Sequence, residues 1–67
     1  MSITLESYIE GEKYIEFRWD KYAGYEVLVG HKANDGIVYI DWENQYGTKE
    51  QGTRSYKRQV AKAKKGW

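Results

Sequence analysis

Cysteine and proline are both absent from the 67 residues, and histidine occurs once, at His31. The missing cysteine excludes disulfides, thiolate metal sites and thiol nucleophiles. One imidazole is too few for an imidazole-based metal cage, so no metal and no cofactor is expected. No apolar run approaches the roughly 18 residues that span a bilayer. From Ser2 onward there is neither the charged n-region nor the long apolar h-region of a secretory signal. The expectation is a cytoplasmic protein without a membrane partner. Proline does not interrupt any of the elements predicted below.

What is present is aromatic and charged. A chain of this length buries only about 60% of the surface exposed by its unfolded form. The three Trp, seven Tyr and one Phe therefore matter, because each can bury a large area. The net charge of +1 conceals an asymmetry. Residues 1–46 carry nine acids against Lys13, Arg18, Lys21 and Lys32, a balance of −5. Residues 47–67 carry seven cations against Glu50, a balance of +6. Halves of opposite sign point to nucleic acid or to charge-steered protein contacts.

Periodicity predicts an α+β fold in a single domain, residues 1–67: an acidic antiparallel sheet within 1–46 and a basic helix over 53–66. In residues 13–19, Ile15, Phe17 and Trp19 alternate with Tyr14, Glu16 and Arg18, a half-buried strand. Tyr25 to Lys32 resume the alternation. Ala33-Asn34-Asp35-Gly36 is a hairpin turn signal, and Ile37 to Glu43 form the returning strand. A tight turn there puts Val27 and Val29 on one face with Val38, Ile40 and Trp42, while Arg18 faces Glu26 as a cross-strand pair. Ile3, Leu5 and Ile9 suggest a fourth strand in the same phase, turning at Glu10-Gly11-Glu12; a helical turn ending at Gly11 is the rival reading. After a loop over 44–52, Thr53 or Ser55 can cap the helix. Tyr56, Val60, Ala63 and Trp67 form its apolar stripe, and Gly66 is its left-handed stop.

Catalytic groups are sparse. His31 is isolated, and Ser2, Ser7 and Ser55 have no histidine and acid arranged as a triad requires. Asp41 and Glu43, with Glu16 across the sheet, are read as a solvated charged face rather than an acid–base pair. No Gly-rich phosphate motif occurs. The chain is expected not to be an enzyme.

Two binding readings remain. In the first, Arg54, Lys57, Arg58, Lys62 and Lys65 share the solvent face of the helix and neutralise phosphates of DNA or RNA. In the second, an outer sheet face of Tyr14, Leu28, Ile37 and Tyr39, ringed by Glu16, Glu26 and Asp41 and joined by Tyr22 at a loop tip, binds a host protein. That would make the chain a compact inhibitor or adaptor of the kind phages and other mobile elements encode. Exposed edge strands would also permit a homodimer. Strands followed by one helix are similar in topology, though in no motif, to the arm-binding domains of tyrosine recombinases and the plant AP2 domain. Those domains set a basic, aromatic sheet face in the DNA major groove; the corresponding face here is expected to be acidic.

Overall fold

A computed structural model describes residues 2–66 and is an α+β domain. Four strands, β1 (Ser2–Glu10), β2 (Lys13–Asp20), β3 (Gly24–Lys32) and β4 (Val38–Tyr46), form one antiparallel sheet in the order β1-β2-β3-β4. The helix α1 (Lys49–Lys64) packs on one face, mainly over β2 and β3. No helix among the described residues is long and apolar enough to cross a membrane.

The turns follow from local chemistry. Glu10 pairs with Lys13 across two residues, and Gly11 takes φ 60° at the first of them, where a type II′ turn reserves a place for glycine. Between β2 and β3, the Asp20 carboxylate accepts from the Tyr22 and Ala23 amides at 2.8 and 3.1 Å, which draws it below its ordinary pKa. Trp19 pairs with Tyr25, and Arg18 meets Glu26 at 3.1 Å, as the alternation requires.

The core lies between α1 and the middle strands. Ile15, Phe17, Val27, Val29, Tyr56 and Ala63 are buried, with Tyr8, Tyr25, Tyr46 and Val60 packed against them. The Phe17 ring lies 5.9 Å from that of Tyr56 and 6.1 Å from that of Tyr25. Trp67, expected to end the helical stripe, lies outside the described residues.

Four expectations are corrected. First, β4 does not keep one register. Val29 pairs with Trp42, but Gly30 pairs with Ile40 and His31 with Tyr39, leaving Asp41 as a bulge. Val38 and Ile40 thus turn away from the core face, while Tyr39 turns onto it. Gly30 permits this, because a Cβ there would lie 2.3 Å from the Tyr39 carbonyl oxygen.

Second, β1 carries its own irregularity at Leu5, between Thr4 and Glu6. Ile3, opposite Trp19, and Ile9, opposite Tyr14, therefore lie on opposite faces. Third, the strand β4 runs to Tyr46 and the helix begins at Lys49, not at 53. Its N-cap is Thr48, whose hydroxyl accepts from the Gln51 amide at 3.2 Å; Thr53 and Ser55 are interior. Fourth, Trp42 stands on the edge strand β4 while α1 packs mainly over β2 and β3, and it remains 40% exposed, whereas Phe17 is 2% exposed.

Candidate nucleic-acid interface

Helical geometry decides where the cations point. At about 100° per residue, Lys57, Arg54, Arg58 and Lys62 span an arc of about 140° opposite Tyr56. All four are exposed, as is Lys65 at the C-cap. Arg54 meets Glu50 at 2.6 Å, an exposed i,i+4 pair. Pairs of that kind contribute only about 0.3–0.5 kcal/mol, so the guanidinium is not sequestered. No ion pair is recorded at Lys57, Arg58, Lys62 or Lys65 among the described residues.

The arc reaches the β1 flank at Lys57, which lines a cavity with Leu5, Glu6 and Phe17, and Lys49 and Lys64 face β1 as well. Lys49 lines a cavity of about 150 Å³ with Ile3, Leu5, Trp19 and Tyr25. The Lys64 ammonium lies 6.0 Å from the centre of the Tyr8 ring. On the opposite flank, Tyr46, Gln51, Arg54, Ser55 and Arg58 line a cavity of about 170 Å³ between α1 and β4. There the Tyr46 hydroxyl donates to Ser55 Oγ at 2.7 Å, tying the helix to the edge strand. Burial and the Glu6 carboxylate raise the pKa of Tyr56, so it stays neutral beneath the cations.

The other side of the sheet has the opposite sign. Glu16, Glu26 and Glu43 lie there with Arg18, and Glu26 is buried to 7% exposure. Glu16 accepts from Thr4 Oγ1 at 2.6 Å and from the Tyr14 hydroxyl at 2.7 Å. The bond to Glu16 is the main reason the Tyr14 pKa is pushed up to about 12.

The expected protein-binding set is not one surface. Tyr14 and Leu28 share the outer face, but Leu28 is only 3% exposed. Tyr22, 86% exposed, stands on the β2–β3 loop, and Ile37 lies in the β3–β4 loop at the opposite end of the sheet. Tyr39 is on the helix side, its ring 5.7 Å from that of His31. Asp41 leaves the acidic rim as well: its carboxylate lies 2.7 Å from His31 Nδ1. It therefore does not share a face with Glu43, which pairs with Leu28.

Strict alternation puts Tyr39 on the outer face, but the bulge turns it to the helix side, where it and Trp42 are both exposed. The available signal was Gly30, since a glycine inside a strand marks a bulge or a close backbone approach. The assembly is thus a four-stranded meander with one cationic and one acidic surface. No protein-family model, curated protein or solved structure matches the chain.

Proposed function

We propose that this protein is a small, non-enzymatic, nucleic-acid-binding domain that uses the exposed face of α1. The observation that carries this reading is the contiguous arc of Lys57, Arg54, Arg58 and Lys62, with Lys65 beyond it. Glu50 is the only acid within residues 47–67. Clustered cations neutralise phosphates and release condensed counterions, and the two guanidiniums can grip phosphate oxygens in pairs. The acidic outer face would repel the same backbone, so only one side of the sheet suits the ligand. Recognition by the backbone alone reads little sequence.

A non-enzymatic role is supported by the state of the one histidine. The His31 and Asp41 side chains are 49% and 53% exposed. No hydroxyl is hydrogen-bonded to His31 among the described residues. The dispersal of Tyr14, Tyr22, Leu28, Ile37 and Tyr39 over several surfaces favours nucleic acid over a protein partner.

The test is a salt-titrated binding assay on DNA and RNA, with wild type beside a variant in which Lys57, Arg58, Lys62 and Lys65 are replaced by Glu. Five phosphate contacts give a log–log slope of about −4.5 on duplex DNA. Binding should vanish in the variant. A flat salt dependence, or no binding at about 50 mM salt, removes the proposal.

A further inference from the structure

The bulge at Asp41 brings together features that strict alternation would keep apart. Tyr39, opposite His31, and Trp42, opposite Val29, lie on the helix side of an edge strand, 46% and 40% exposed. Tyr46 is bonded to Ser55 in the first half of α1 and lines a cavity with Gln51 of its first turn. Near its end, Lys13 Nζ donates to the Ala63 carbonyl at 2.6 Å, and Lys13 belongs to the row Lys13–His31–Tyr39. The helix therefore runs antiparallel to β4. Ser55, Arg58 and Lys62, spaced i, i+3 and i+7, share the flank that faces this strand.

We infer that the shelf between α1 and β4 takes a single-stranded nucleic acid, its bases stacked on Trp42 and Tyr39 and its phosphates held by Arg58 and Lys62. This rests on the nucleic-acid reading above and narrows its ligand. Stacking needs free base faces, which a duplex keeps inside its own stack, whereas an unpaired strand offers one at every nucleotide. Because β4 is an edge, no further strand among the described residues obstructs a ligand running alongside it.

Two carboxylates lie beside these rings, each held in place by hydrogen bonds. Asp41 is met by His31, and Asp35 accepts from the Ile37 amide at 2.9 Å and the Tyr39 hydroxyl at 3.3 Å. The other exposed aromatics lie away from the helix cations: Tyr14 is on the acidic outer face and Tyr22, 86% exposed, stands on the β2–β3 loop.

The experiment measures anisotropy of a labelled fifteen-nucleotide oligothymidylate and of a hairpin duplex against wild type, Trp42→Ala, Tyr39→Ala and Trp42→Phe. Wild type should prefer the single strand. Each alanine variant should weaken oligothymidylate binding by about 5- to 100-fold, with duplex binding and the salt slope little changed. Trp42→Phe should restore most of the loss, which a merely structural role would not require. Circular dichroism reports folding; should Trp42→Ala unfold, Trp42→Leu set against Trp42→Phe isolates the aromatic face. Salt-dependent binding that is indifferent to all these substitutions overturns the stacking site and leaves the helix reading intact. Absence of binding to either oligonucleotide at 50 mM salt removes both.

Discussion

Gly52 shows how a single hydrogen atom sets the distance between helix and sheet. It is buried in the first turn of α1, and a Cβ there would lie 2.6 Å from Phe17 Cε1 and 3.0 Å from Cζ. Alanine is better than glycine inside a helix by about 1 kcal/mol. Over-packing a filled core costs about 1–3 kcal/mol. Phe17, at 2% exposure, has no room to yield, so packing should outweigh propensity. Gly52→Ala is expected to lower stability by about 1 kcal/mol in urea unfolding. The same change in a Phe17→Leu background should be neutral or stabilising, because the smaller side chain admits the methyl. A gain from Gly52→Ala alone would mean that the helix sits further from the sheet.

The elements divide into those that local chemistry announces and those that tertiary contact decides. Three strands, the Trp19–Tyr25 register and the inward-facing stripe of Tyr56, Val60 and Ala63 follow from alternation and helical spacing. The start of α1 does not. A glycine normally argues against a helix interior, yet Gly52 lies in the first turn for the sake of Phe17. The β4 bulge is hidden for a different reason. Val38, Ile40 and Trp42 alternate without a break, so β4 itself carries no trace of the shift that sends Val38 and Ile40 outward, and only Gly30 on the neighbouring strand marks it. The cations were legible because charge needs no register, whereas the aromatic half of the shelf depends on one unpaired residue. The cap can be tested at this scale. Thr48→Ala removes the acceptor for the Gln51 amide and is expected to cost about 1 kcal/mol, with Thr48→Ser or Thr48→Asp retaining most of it. Equal stability of the alanine variant would place the helix start elsewhere.

At the scale of the whole molecule, the two charged surfaces compete for one ligand, and salt decides how strongly. The Cα extents are 32 × 25 × 16 Å, so even the thinnest direction separates opposite surfaces by more than the Debye length of about 8 Å at 0.15 M. A phosphate backbone on the helix side is then shielded from Glu16 and Glu43 behind the sheet. At about 0.01 M the Debye length grows to about 30 Å, comparable with the whole molecule, and the same carboxylates repel the ligand. The Glu16→Gln, Glu43→Gln double variant keeps the side-chain shape and one oxygen at each position and removes two charges. Its nucleic-acid affinity should match wild type within about twofold at 0.15 M and exceed it several-fold at about 0.01 M. The affinity gap should therefore close as salt rises, visible as a steeper slope for the variant at the dilute end. A gap that persists at 0.15 M would mean that the ligand touches the acidic face directly, contrary to a binding surface confined to the helix side.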